Sequence, residues 1–127
     1  MAREGYVSDR APKPAGPYSH AIVANGFLYT AGLGPIDPAT GEKVGTTIEE
    51  QTAAVMDALV AVLGERGLDF SDVVKSTVHL AVPKRDFAGF NTVYQTYLSP
   101  PFPVRTTVGS ELADILVEID VVAALRD

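Results

Sequence analysis

Apolar residues fall into short alternating runs separated by two longer stretches of helical period. Ser19 to Ala24 and Phe27 to Ala31 flank Asn25-Gly26. Asn-Gly between two apolar runs predicts a β-hairpin, because both turn positions tolerate positive φ. Gly32, Gly34 and Pro35 end the second strand, and Asp37-Pro38-Ala39-Thr40-Gly41 predicts another turn. Thr47-Ile48-Glu49-Glu50 then reads as a capping box, with Thr47 as N-cap and Glu50 reaching back. Behind it Ile48, Val55, Leu59, Val62 and Leu63 recur at helical spacing until Gly67.

Val73 to Val82 alternates as a strand, with Val74, Val78, Leu80 and Val82 on one face and Lys75, Thr77 and His79 on the other. A second helix is expected from near Asp86, with Phe87, Phe90, Tyr94, Tyr97 and Leu98 as its apolar stripe. Ser99-Pro100-Pro101-Phe102-Pro103 breaks it, and two strands follow, near Val104 to Gly109 and Leu116 to Leu125. The order is two strands, an optional third, then helix, strand, helix and two strands. That makes one α+β domain over residues 1–127, without repeats or linkers. Two helices suffice to cover one face of such a sheet.

The uncovered face carries the interest. In the last strand Val117, Ile119, Val121 and Ala123 point one way and Glu118, Asp120 and Val122 the other. In the strand before it Val104, Thr106 and Val108 oppose Arg105 and Thr107. If the apolar sets meet the helices, the second face gathers Arg105, Thr107, Glu118, Asp120, Lys75, Thr77 and His79. Such a mixed face suits a subunit interface with polar sites set into it, or a solvated face carrying surface ion pairs.

Composition removes several function classes. The formal charge is -6 and the ten Lys and Arg are scattered, so no basic stripe exists to neutralise phosphates. No nucleic-acid partner is expected, and the same balance argues against an anionic membrane surface. The chain has no cysteine, which excludes disulfides and thiolate chemistry. No apolar run of about 18 residues appears and the first ten residues lack an apolar signal core, so cytoplasm is the default expectation.

Arg105, inside a β-branched run after Pro103, presents a planar fork of donors matched to a carboxylate. The alternative is an Arg bridged to Glu118 or Asp120 across neighbouring strands. Those two acids, two apart on one strand, could do acid–base work or bind a cation, or simply be matched to basic neighbours. Two oxygen ligands do not make a metal site, and none is expected. His20 and His79 read as ordinary strand residues. Gly32-Leu33-Gly34-Pro35 fits no phosphate-binding fingerprint, and no Gly-x-Ser-x-Gly elbow surrounds a serine. Tyr18, delivered by the rigid Ala11-Pro12-Lys13-Pro14-Ala15-Gly16-Pro17 segment, reads as a pocket wall or a strand-edge aromatic.

Taken in order, Gly16-Pro17-Tyr18, Thr30-Ala31-Gly32, Asp37 to Glu42, Asp72 to Val78, Phe87 to Asn91 with Tyr94, Phe102-Pro103-Val104-Arg105 and Val117 to Asp120 resemble the RidA/YjgF family of imine deaminases, also called the L-PSP endoribonuclease family. The resemblance covers nearly the whole chain. It implies a chorismate-mutase-like mixed sheet with both helices on one face. It also implies a homotrimer whose sheets form a central barrel, with sites in the subunit clefts. The implied reaction is hydrolysis of reactive 2-imino acids to 2-oxo acids and ammonia, without a cofactor.

Carried onto this chain, the resemblance makes Arg105 the clamp for the substrate carboxylate. It places the backbone around Gly32 and Thr107, with Ala31 and Thr106 beside them, at the imine end. Tyr18 and Asn91 line the cleft, and Asp120 is the acid that holds the attacking water. The deaminase pattern has glutamate where this chain has Asp120, cysteine at Thr107, serine at Ala31 and Gln-Ile at Leu33-Gly34. Aspartate withdraws the carboxylate by roughly 1.5 Å, one C–C bond. A specialised member acting on another imine or enamine, or a non-catalytic trimer binding small carboxylates, are the alternatives. Endoribonuclease action, the family's older label, ranks third.

Overall fold

A computed structural model describes residues 3–126. The strands are β1 (Glu4–Tyr6), β2 (Ala21–Ala24), β3 (Phe27–Thr30), β4 (Val73–Leu80), β5 (Val104–Gly109) and β6 (Val117–Ala124). The helices are α1 (Ile48–Gly64) and α2 (Pro83–Tyr94). Among the described residues, six strands form one mixed sheet in the order β1-β2-β3-β6-β4-β5, in which only β4 and β5 run parallel. Both helices cover the same face, α1 against β6 and α2 against β4, and they pack on each other. The α+β architecture expected from the alternation is the one present.

Local chemistry explains most boundaries. Asn25 and Gly26 have φ of 51° and 86°, so the β2–β3 hairpin turns through two left-handed residues. Thr47 accepts the Glu50 N–H at 3.1 Å while the Glu50 carboxylate accepts the Thr47 N–H at 3.1 Å, which completes the capping box of α1. Val55, Met56, Leu59, Val62 and Leu63 of α1 are fully buried against Val117, Ile119, Val121 and Ala123 of β6. β6, last in sequence, lies between β3 and β4 near the sheet's centre.

The optional third strand is present, as β1 at the sheet edge ahead of the hairpin. Four expectations need correction. Helix α2 begins at Pro83, not near Asp86, because proline is suited to the first helical position, where its missing N–H costs nothing. In β4 a bulge between Val73 and Lys75 turns Val74 outward, 43% exposed. Val82, at the N-cap of α2, also faces solvent, and Ser76 takes the inward place, sharing a 2.6 Å hydrogen bond with the Tyr94 hydroxyl.

The fourth correction bears on function. In the parallel ladder Arg105 lies beside Ser76 and Thr107 beside Val78, both of which face the helices. Arg105 and Thr107 therefore point to the helix side, and Val104, Thr106 and Val108 to the open face. Val104 is 66% exposed there. The apolar alternation of β5 misleads because it is an edge strand: its apolar side lies beyond the core.

Candidate functional site

Arg105 projects from β5 toward α2. Its guanidinium lies 5.0 Å from the Tyr94 ring centroid, 5.4 Å from Phe90 and 5.7 Å from Phe87. Aromatic faces attract a guanidinium and restrict its rotation. Its Nη1 donates to the Asn91 Oδ1 at 2.8 Å. Among the described residues no carboxylate pairs with Arg105; Glu118 and Asp120 stand on the other face of the sheet. That rules out the cross-strand bridge. The arginine opens onto a cavity of about 410 Å³, lined also by Asn91, Tyr94, Gln95, Leu98, Phe102 and Pro103. An oriented cation beside apolar walls suits a small molecule with a carboxylate at one end.

A second cavity, of about 340 Å³, lies against the start of β6 and is lined by Tyr18, His20, Gly32, Gly34, Ile115 and Glu118 among others. Strand β3 pairs with β6 only as far as Tyr29, and contact resumes at the isolated bridge between Leu33 and Ile119. Thr30 fills the interval by accepting the Val121 N–H through its hydroxyl at 3.0 Å. Gly32 sits in this loosened stretch.

His20 holds the wall of that cavity. It is fully buried just before β2, so the reading of it as an ordinary strand residue is corrected. Its Nδ1 accepts the Ser8 N–H at 2.7 Å, which leaves Nε2 to carry the hydrogen and donate to the Pro12 carbonyl. The imidazole thereby fastens the proline-spaced segment to the sheet, and Tyr18 follows from that segment. The Tyr18 hydroxyl accepts the Ala15 N–H at 3.0 Å. Ala31, beside Gly32, donates its N–H to the His20 carbonyl at 2.8 Å.

Asp120 lines neither cavity. It stands on the open face opposite Thr77, flanked along β4 by Lys75 and His79. Burial raises its carboxyl above the ordinary value, against the lowering pull of His79 and Lys75. Thr106 is exposed on the same face. Thr107 faces inward, its hydroxyl buried without a partner among the described residues. One chain thus unites Arg105 with Asn91, and Tyr18 with Gly32 and Ala31, but keeps the two groups apart. Sequence reasoning missed Tyr94, Leu98 and Phe102 as cavity walls, although Tyr94 stands one turn from Asn91 and Phe102 adjoins Pro103. It also missed His20.

Among the described residues, no group of three His, Asp or Glu side chains could hold a metal ion, and no helix is long and apolar enough to cross a membrane. Compared with known proteins, residues 8–125 match the family model described as Endoribonuclease L-PSP. The chain belongs to this family, the RidA/YjgF proteins. A RutC family protein of Pyrococcus abyssi is 45% identical over 97% of this chain and 98% of its own. The chloroplastic Reactive Intermediate Deaminase A of Arabidopsis thaliana is 35% identical over 98% of this chain and 67% of its own. The crystal structure of RidA from the Antarctic bacterium Psychrobacter sp. PAMC 21119 superposes with a TM-score of 0.89 at 31% identity, over 96% of this chain and 99% of that one. The mixed sheet with helices on one face is therefore the RidA/YjgF fold.

Proposed function

We propose that this RidA/YjgF protein hydrolyses reactive 2-imino acids, or closely related enamines, to 2-oxo acids and ammonia in the cytoplasm. The observation that carries this reading is Arg105. Its guanidinium is oriented by Asn91 and three aromatic rings, has no acidic partner among the described residues, and opens onto a cavity of substrate size. One plant relative bears the name Reactive Intermediate Deaminase A, which supports the same chemistry here.

An imine carbon is already electrophilic, so the protein has to fix the carboxylate, position a water and move protons. Arg105 fixes the carboxylate. Tyr18, the Ala31-Gly32 backbone and the Thr106-Thr107 strand surround the imine end, and Asp120 assists proton transfer on the open face. No cofactor enters this chemistry. Because one chain separates the two groups of residues, the complete site belongs to the cleft between chains of a homotrimer, with residues 1–127 of each forming a single domain. The exposed apolar positions Val104 and Val108 on the charged open face, and Phe102 at the Arg105 cavity, support such an interface.

The test couples a threonine dehydratase to semicarbazide trapping of the imine. Added protein should lower the trapped fraction and raise 2-oxobutanoate, while light scattering should give the mass of three chains. An unchanged trapped fraction would leave the second reading, a non-catalytic binder of small carboxylates. That reading draws on Asp120, a short side chain lining neither cavity.

A further inference from the structure

The proposed chemistry leaves one carboxylate without a task. Glu118 is on the open face of β6, and unlike Asp120 it lines the cavity that Tyr18 and Gly32 share. Its side chain folds across the Gly32 backbone. A Cβ placed at Gly32 would lie 2.6 Å from Glu118 Oε2 and 2.9 Å from Cδ, closer than side chains tolerate. A methyl group at this position would push the flexible Glu118 carboxylate away from the main chain, against which glycine lets it lie.

Glu118 is also free for work. Among the described residues no ion pair engages it. Its partner across the ladder is His79, whose Nδ1 is already engaged by the Ser110 hydroxyl at 2.7 Å. Glutamate also has the reach that aspartate lacks at position 120. A half-buried carboxylate with no partner among the described residues, lying over bare backbone in a cavity, is suited to hold water.

We propose that Glu118 is the catalytic carboxylate that holds and deprotonates the attacking water, with Asp120 in a supporting position. This inference rests on the imine-hydrolase reading. The water oxygen bonds to the carbon of the protonated imine as one of its protons passes to Glu118. The C=N π pair moves onto nitrogen, giving a neutral amino group. Glu118 returns its proton to that nitrogen, the C–N bond breaks as the hydroxyl oxygen forms C=O, and Glu118 takes the hydroxyl proton. The departing ammonia collects that proton and leaves as ammonium. Atoms and charge balance, and no oxidant or reductant takes part.

The experiment compares Glu118→Gln, Glu118→Asp, Gly32→Ala and Asp120→Asn in the coupled trapping assay, with calorimetric titration of 2-oxobutanoate and thermal melting alongside. Glu118→Gln should lose about 100-fold or more in turnover, the lower bound for a general base, with 2-oxobutanoate affinity unchanged. Gly32→Ala should lose about 100-fold by displacing the carboxylate by about 1 Å. Asp120→Asn should lose less than Glu118→Gln. If Glu118→Gln does not fold, Glu118→Asp serves in its place, with an expected loss about as large as that of Gly32→Ala and an unchanged KM.

Turnover of a folded Glu118 variant at the wild-type rate would overturn the inference. Loss of 2-oxobutanoate affinity in Glu118→Gln would also overturn it, since the residue would then be a binding group. A wild-type protein without turnover sinks the hydrolase reading and this inference together, an outcome distinct from an active wild type with an equally active Glu118→Gln.

Discussion

The two cavities are built by opposite means. Around Arg105 every wall comes from strand β5, helix α2 or the turns that join them, and the guanidinium is held by one hydrogen bond and three rings. Around Glu118 the walls are loops: the proline-spaced segment fastened by His20, and the Gly32 stretch where β3 parts from β6. Rigid elements place a recognition group more precisely than loops do, and loops need fasteners of their own. Under the proposed function, the first cavity sets affinity for a carboxylate and the second sets turnover. The two properties should then be separable by mutation.

Mixing is the strongest way to break this division. Arg105→Ala and Glu118→Gln chains should each be nearly inactive alone. Dissociated together and reassembled in equal amounts, they should recover about one quarter of wild-type turnover, because random pairing leaves that share of clefts with both residues intact. No recovery in verified mixed oligomers would mean that the two residues do not meet across an interface.

Next in size is Arg105→Ala itself. Loss of a charge-assisted, bidentate contact should weaken 2-oxobutanoate binding by about 1.5–3 kcal/mol, measured by calorimetry. Arg105→Lys should recover only part, because an ammonium lacks the fork and stacks less well on the rings. His20→Ala should then act on the opposite cavity. It leaves the buried Ser8 N–H without its acceptor, a loss of about 1–3 kcal/mol in denaturant unfolding. It should also lower turnover more than 2-oxobutanoate affinity; an equal fall in both would deny that the cavities are independent.

Asp120→Asn gives a smaller effect with a sign that depends on pH. Burial raises the folded-state value of the Asp120 carboxyl, so its contribution favours the fold when protonated and is lost as pH rises through that value. The variant should therefore be more stable than wild type at neutral pH, and the advantage should shrink on acidification toward about pH 4, the range of an unfolded aspartate. Denaturant midpoints at the two pH values decide it. The smallest expected effect is none: with a charge of -6, the protein should neither bind single-stranded RNA tightly at physiological salt nor cleave it.

The elements themselves were legible because local rules carried them. Asn25-Gly26 and the Thr47/Glu50 box each specify their own geometry, and β6 alternates cleanly because one of its faces is wholly buried. Arg105 was legible as a residue but not in its direction. Alternation reports which side of a strand is apolar, and at the edge strand β5 that side faces out. The Val74 bulge was hidden for a related reason, since an inserted residue shifts the phase without altering composition. His20 carried no signal because its partners, Ser8 and Pro12, are backbone groups that any residue type would supply. Glu118 was visible beside Asp120, but only the folded chain separates the two, by placing Glu118 in the Tyr18–Gly32 cavity and against Gly32.

The central place of β6 bears on how the chain reaches its native state. Its register partners lie 37 to 50 positions back on β4 and 93 to 97 back on β3, while its side chains complete the layer beneath α1. During synthesis the hairpin and α1 emerge long before β6, so their apolar faces must wait for the strand that joins them. Such long-range closure slows folding relative to a fold of local contacts. It also makes the partly synthesised chain, with β3 and β4 still unpaired on their inner edges, the species most exposed to aggregation.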